Sequence, residues 1–152
     1  MDEQQTRAQQ LARARYKEGF NCAEAVLRAF REELGLALDG DTLKIASGFG
    51  GGLGHAGCMC GALSGAVMVI SLLQGRTGAD QSRNPVYDSA REFHGVFADH
   101  FGATCCRVLN PHPFETSEQR RACYRITGET AELLAKFLAA KDLLPAGEQP
   151  AE

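Results

Sequence analysis

The sequence predicts an all-α domain of about five helices, packed around a buried central helix that follows a glycine-rich loop. Three observations support this fold class. Apolar residues recur at helical spacing along most of the chain, no useful length alternates with a period of two, and residues 45–75 contain no Lys, Arg, Asp or Glu. We therefore expect residues 45–75 to form the inside of the molecule.

Two helices are predicted before the loop. The first is a polar helix over residues 2–19. The second follows Asn21, an N-cap residue with Glu24 at the third helical position, and it ends at Gly35. Cys22 begins this second helix, on the face that carries its apolar residues.

The loop and the central helix occupy the middle of the chain. Asp41 is predicted to cap a short helix over residues 42–47 that leads into the loop. Eight of the 17 glycines then lie between Gly48 and Gly65. The central helix is predicted over residues 60–74, which is shorter than the roughly 20 apolar residues that a membrane span needs.

Two further helices complete the predicted fold. Asn84 and Pro85 form a helix start, with proline in the first turn, and this helix ends at Gly102. The last helix is predicted over residues 115–143.

Length, charge and the N-terminal sequence limit the number of domains, the classes of partner and the compartment. The 152 residues are expected to form one domain, with residues 1–16 and 145–152 peripheral or frayed. A net charge of -3 gives no basic surface for nucleic acid or anionic lipid. The polar first ten residues have no apolar segment of the secretory type, so the expected compartment is the reducing cytoplasm.

The six cysteines are the candidate functional residues. In a reducing compartment, clustered thiols serve metal binding, redox chemistry or simple burial. Four of them begin helices or lie on helix faces predicted to point inward: Cys22, Cys60, Cys106 and Cys123. Because a helix N-terminus favours the thiolate, Cys22 and Cys60 are the predicted redox thiols.

The glycine loop is predicted to surround this site. Glycines adopt positive φ angles and can turn successive N–H groups into one concavity, which suits anions or cluster sulfurs. His55 lies five residues before Cys60 and is a candidate ligand or proton carrier, with simple solvent exposure as the alternative. The predicted cofactor-binding residues are Gly50, Gly51, Gly52, Gly54 and His55.

Several motifs resemble those of the redox-active family named for its cysteine pattern, C_GCAxxG_C_C. The resemblance covers about residues 17–140 and is carried by NCAEAVL from residue 21, GGGLG from 50, CGALSG from 60, FGATCCR from 101, and Cys123. Matching these motifs assigns the four characteristic family cysteines to Cys22, Cys60, Cys106 and Cys123. Cys58 and Cys105 are additions to the family pattern, which leaves open whether Cys105 or Cys106 is the site cysteine.

The resemblance implies a cysteine-based redox or cluster-binding site. Members of the family are often encoded beside transporter genes, and they resemble a helical domain of split-Soret cytochromes for which an iron–sulfur site has been proposed. No reaction is established for the family as a whole. Activity as an enzyme is left open, and an active enzyme would be an oxidoreductase or electron carrier.

Three hypotheses follow. In the first, Cys22, Cys60, Cys106 and Cys123 hold an iron–sulfur cluster or zinc for electron transfer. In the second, no metal is bound and Cys60 or Cys22 attacks a disulfide, with Cys58 or Cys105 resolving it. In the third, the protein is a metal carrier or interaction module for a membrane transporter. The expected partners are a redox protein and a second copy of this chain, without nucleic acid or membrane insertion.

Overall fold

The computed structural model describes residues 6–144 and confirms the all-α fold. Five helices have eleven or more residues: α1 (Arg7–Lys17), α2 (Cys22–Leu34), α5 (Gly61–Gln74), α6 (Asn84–Phe101) and α8 (Ser117–Ala140). Shorter turns lie between them: α3 (Gly40–Leu43), a 3-10 helix (Lys44–Phe49), α4 (Gly50–Leu53) and α7 (Cys106–Leu109). Within residues 6–144 no strand forms, and an isolated bridge pairs Met59 with Cys105.

The ends of α2 are those the sequence predicts. The Asn21 side chain accepts a hydrogen bond from the Glu24 N–H at 2.9 Å, and the Glu24 carboxylate accepts one from the Asn21 N–H at 2.9 Å. This capping box satisfies two backbone donors that the helix leaves unpaired. Gly35 closes the helix in the left-handed conformation, with φ of 65°.

Helix α1 is part of the core, contrary to the expectation that residues 1–16 are peripheral. Ala8 and Ala12 are fully buried because α1 packs against both α2 and α8. Arg7 also pairs with Glu33 of α2, at 2.9 Å. Small side chains on one face thus let a mostly polar helix pack closely. Residues 1–5 and 145–152, also expected to be frayed, lie outside the described residues.

The short helix α3 begins earlier than predicted. Its cap is Asp39, whose carboxylate accepts a hydrogen bond from the Thr42 N–H at 2.9 Å. The predicted cap, Asp41, lies inside the first turn and pairs instead with Lys44 at 3.3 Å. Both aspartates are possible N-caps by sequence. Asp39 is the N-cap because its carboxylate accepts from the N–H of Thr42, three residues later.

Helix α5 is the central helix, as predicted, and packs against α2, α6 and α8. Its Leu63, Val69 and Ile70 are fully buried. The charge-free interval is nevertheless not wholly internal, because Ile45 is 62% exposed and Leu72 is 42% exposed. In the described chain, no helix is both long and apolar enough to cross a membrane.

Two glycines bring α2 and α5 into direct contact. A Cβ atom at Gly61 would lie 2.5 Å from Cys22 Sγ, and one at Gly65 would lie 2.7 Å from the carbonyl oxygen of Ala23. Real Cβ atoms do not approach other atoms this closely. Because these glycines lie one helical turn apart on α5, they let the first turn of α2 lie directly against it.

We predict that Leu63→Ala lowers the free energy of unfolding by about 2–5 kcal/mol, because it leaves a cavity in the core. Leu72→Ala is the matched control on the same helix, and since Leu72 is 42% exposed it should cost less than about 1 kcal/mol. Urea unfolding of the two variants measures the difference. Equal losses would show that α5 is not the packed centre.

Candidate functional site

Four cysteines from four helical segments meet at one end of the bundle. Cys22 is the first residue of α2, Cys60 caps α5, Cys106 is the first residue of α7, and Cys123 lies in the second turn of α8. Cys22, Cys60 and Cys106 are buried, while Cys123 is partly exposed. All six cysteines of the chain are free thiols. The structure thus brings together the four cysteines that the motifs assign to the site.

A short backbone pairing joins the Cys60 segment to the Cys106 segment. The Cys60 N–H donates to the Thr104 carbonyl at 2.8 Å, and the Arg107 N–H donates to the Gly57 carbonyl at 3.1 Å. These bonds flank the bridge between Met59 and Cys105. This pairing brings Cys106 to the loop, and it has no local sequence signal because its two halves are more than 40 residues apart.

The glycine loop turns tightly beneath the thiols. Gly51 and Gly52 have φ angles of 64° and 68°, in the left-handed region that favours glycine. A Cβ atom at Gly52 would lie 2.5 Å from the Cys58 backbone nitrogen and 2.8 Å from Cys106 Cβ. At Gly51 an added Cβ would overlap the His55 ring. The loop therefore requires glycine for both conformation and space.

Cys123 is the thiol most disposed to ionise. Hydrogen bonding by the Cys22 thiol, opposed by burial, and further hydrogen bonds from Asn110 and Tyr16 lower the pKa of Cys123 to about 7. The Asn110 amide lies 3.6 Å from Cys123 Sγ, and the Gln119 amide lies 3.5 Å from it. These donors stabilise the thiolate because they interact more strongly with an anionic sulfur than with a neutral one.

The expected lowering of the pKa at Cys22 and Cys60 is not found. The hydrogen bond to Cys123, followed by burial, raises the pKa of Cys22 well above its ordinary value. Burial, partly offset by hydrogen bonds from the Ala62 and Leu63 N–H groups, raises the pKa of Cys60 to about 11. A first-turn position does supply N–H donors, as predicted, but desolvation of the charged sulfur outweighs them at Cys60.

Cys106 is a third buried thiol that resists ionisation. Burial, and then the neighbouring Cys123 and Cys105 sulfurs, raise its pKa. Cys60 is likewise affected by Cys123 and Cys106. These mutual effects mark the four thiols as one electrostatic group, with Cys123 as the member that carries the charge.

The two additional cysteines lie outside this buried group. Cys58 and Cys105 are exposed, and the Arg107 guanidinium lies 3.9 Å from Cys58 Sγ. Cys106, not Cys105, is therefore the member of the adjacent pair that faces the other three thiols. Their resolving role toward Cys60 or Cys22 stays a prediction.

A cavity of about 430 Å³ opens in front of Cys22 and Cys123. Four of the five predicted loop residues line it: Gly50, Gly51, Gly54 and His55. The fifth, Gly52, is buried behind them. The remaining lining residues are Tyr16, Gly19, Phe20, Asn21, Ser47, Gln119 and Arg120. Tyr16 and Asn110 had no sequence signal, because each belongs to a segment without a motif. Gln119 and Arg120 could have been found, because they precede Cys123 by four and three residues in the predicted last helix and share its face.

His55 is held at the wall of this cavity. Its ring stacks on Phe114 with 4.0 Å between ring centroids and an interplanar angle of 13°. His55 has a positive φ of 69°, as does the neighbouring Leu53 at 74°. The stacking on Phe114 holds the His55 ring at the part of the cavity wall that the loop forms.

The sulfurs suit soft metals chemically, but their positions do not form a metal centre here. Across residues 6–144, no group of three or more His, Cys, Asp or Glu side chains is arranged to hold a metal ion. Zinc and iron–sulfur sites use four thiolates directed at one ion or cluster. The four cysteines as arranged therefore do not fit a zinc ion or an iron–sulfur cluster.

The comparisons with known proteins agree with the cysteine pattern. Residues 20–137 match the model of a family described as "Putative redox-active protein (C_GCAxxG_C_C)". The chain belongs to this family. A protein of the archaeon Archaeoglobus fulgidus, named only as uncharacterized, is 31% identical over 127 residues, which are 78% of this chain and 84% of the relative. No solved structure gives a significant match.

Membership in the C_GCAxxG_C_C family confirms the resemblance seen in the sequence and supports redox activity in general terms. The metal or cluster, the transporter-linked partner, a second copy of the chain and the cytoplasmic compartment all stay predictions.

We predict that Gly51→Val disturbs the thiol site more than the helices. Valine at a positive φ is strained, and its Cβ would overlap His55, so the unfolding free energy should fall by about 1–3 kcal/mol while the helical circular dichroism is retained. The Gly51 N–H also donates to Cys22, so the alkylation rate of Cys123 should change.

Gly48→Val is the matched control, because Gly48 has an ordinary φ and open space around its Cα. An unchanged alkylation rate in a folded Gly51→Val protein would count against a role of the loop in the thiol site.

Proposed function

We propose that this protein is a thiol–disulfide redox protein in which Cys123 is the nucleophile and Cys22 the resolving thiol. The observation that carries the proposal is the opposite shift of two neighbouring thiols. The pKa of Cys123 is lowered to about 7, and that of Cys22 is raised, largely through the hydrogen bond between them. An ionised sulfur therefore sits beside a protonated one.

This arrangement suits exchange at neutral pH. An attacking thiol is most effective when its pKa is near the ambient pH, because it is then substantially ionised yet still nucleophilic. At pH 7 about half of Cys123 is thiolate, whereas Cys60, with a pKa of about 11, is ionised in only about one molecule in ten thousand. Cys123 also faces the cavity, and Cys60 does not. These two facts favour Cys123 over Cys60 as the attacking group.

The reaction balances with a disulfide RSSR as the oxidant. The Cys123 thiolate attacks one sulfur, the S–S bond of RSSR breaks, and RS⁻ leaves. Cys22 then loses its proton to this thiolate and attacks Cys123 Sγ, which forms a Cys22–Cys123 disulfide and releases the second RS⁻ as a thiol after protonation from solvent. Two protein thiols are oxidised, and one RSSR is reduced to two RSH.

A cluster or metal site is the second candidate. The electrostatic coupling of four thiols from four segments favours this candidate. Binding would require the four sulfurs to move until all of them point at one metal ion or cluster. Stoichiometric iron with acid-labile sulfide, or stoichiometric zinc, in anaerobically purified protein would favour it over the exchange reaction. A reducing cytoplasm suits either candidate, because its thiol pools regenerate the reduced form.

We predict that alkylation of Cys123 by iodoacetamide rises with pH around a midpoint near 7. The thiolate is the deprotonated form, so a lowered pKa moves the rise to lower pH. In Cys22→Ala the midpoint should move toward the ordinary value of 9.0, and the rate at pH 7 should fall severalfold. Mass spectrometry of the modified peptides separates Cys123 from the other thiols.

Cys105→Ala is the matched control, because Cys105 is exposed and is not among the groups that shift the pKa of Cys123. It should leave the midpoint unchanged. A wild-type midpoint near 9, or the same midpoint in Cys22→Ala, would refute the assignment of Cys123 as the activated nucleophile.

A further inference from the structure

The cavity in front of Cys123 has the dimensions of a small-molecule site. Its volume of about 430 Å³ lies within the range of roughly 300–1,000 Å³ that is typical of ligand pockets. Cys22 and Cys123 line the wall formed by α2 and α8, and Gly50, Gly51 and Gly54 line the wall formed by the loop. Because Cys22 is buried and Cys123 only partly exposed, a substrate must enter this cavity to reach them.

The walls of the cavity favour a negative ligand. Among the described residues that line it, Arg120 carries a positive charge and none is an aspartate or glutamate. Burial raises the pKa of the Tyr16 hydroxyl, which lines the same cavity, and the Arg120 charge opposes this shift. The guanidinium therefore lies close enough to influence a ligand beside Tyr16 and Cys123.

Arg120 is oriented but its charge is not neutralised by a carboxylate in the contacts described. Its Nη1 donates to the Glu115 backbone carbonyl at 3.0 Å, which orients the exposed side chain. The two acidic residues that flank the lining segment 19–22 in sequence are engaged elsewhere: Glu18 pairs with Arg15, and Glu24 accepts the Asn21 N–H. A guanidinium held by one backbone carbonyl keeps further N–H donors for an incoming carboxylate.

We infer that the substrate is a small disulfide that bears carboxylate groups, and that Arg120 binds one of those carboxylates while the disulfide meets Cys123. This inference rests on the proposed function and adds the substrate class to it. The chemistry is the exchange described above, with each R group carrying the carboxylate. Arg120 is a binding residue and takes no part in electron transfer.

Three disulfides of similar length and different charge test the inference. They are 3,3′-dithiodipropionate, which is a dianion, 2-hydroxyethyl disulfide, which is neutral, and cystamine, which is a dication. The second-order rate of Cys123 oxidation by each is measured at low ionic strength in the wild-type protein and in Arg120→Gln. Comparing the same disulfide between proteins cancels its intrinsic reactivity.

The dianion should react about fivefold more slowly with Arg120→Gln than with the wild type, while the rate of the neutral disulfide stays the same and that of the dication stays the same or rises. The difference for the dianion should shrink at about 1 M salt, where charge effects are screened within about 3 Å. Arg121→Gln is the matched control, because Arg121 is exposed like its neighbour Arg120 but does not line the cavity. It should leave all three rates unchanged.

The outcomes separate the two claims. If Arg120→Gln and Arg121→Gln behave alike with the dianion, while the neutral disulfide still oxidises Cys123, the substrate inference is overturned and the proposed function stands. If no small disulfide reacts with Cys123 faster than with the urea-unfolded protein, the cavity is not a small-disulfide site. If the neutral disulfide oxidises other thiols and leaves Cys123 reduced, the proposed function itself fails.

Discussion

The direct contact between α2 and α5 is the constraint on which the site depends. Gly61 and Gly65 have no side chain where Cys22 Sγ and the Ala23 carbonyl approach α5. Any larger residue at Gly61 would push the first turn of α2 away, and Cys22 with it. The C-G-A-x-x-G motif thus has a steric role in addition to supplying a thiol: its two glycines form the surface against which Cys22 is held.

From this contact the thiol chemistry follows. Once Cys22 is fixed against α5, its thiol has Cys123 of α8 as a hydrogen-bond partner, and one of the two sulfurs can carry the charge more easily than the other. Asn110 and Tyr16 favour Cys123, since both donate to its sulfur, whereas Cys22 is more deeply buried. The proton therefore stays on Cys22. A nucleophile and a protonated neighbour are the two partners that a thiol exchange needs.

Local features of the site could be predicted from the sequence, because they depend on neighbouring residues. The capping box of Asn21 and Glu24 determines where α2 begins, and hence that Cys22 occupies its first turn. The family motifs also identify all four thiols. The charge state could not be predicted in this way, because the helix-terminus argument, which favours Cys60, omits the cost of burying its charge.

The features that sequence patterns missed come from long-range packing. Tyr16 of α1 and Asn110, which follows α7, lie in segments without a motif and reach Cys123 only through tertiary packing. Helix α1 reads as peripheral because it is polar, and it is held in the core by two buried alanines. In each case the decisive partner is many residues away, where neither helical spacing nor capping carries information.

Mapping the first disulfide formed tests the central claim most directly. The reduced protein is oxidised with one equivalent of 2-hydroxyethyl disulfide, trapped with acid, digested with trypsin without reduction, and analysed by mass spectrometry. Trypsin separates residues 18–28, which contain Cys22, from residues 122–125, which contain Cys123. Our account predicts that these two peptides are linked first. A first disulfide between the peptides of Cys60 and Cys106, with Cys22 and Cys123 still reduced, would contradict it.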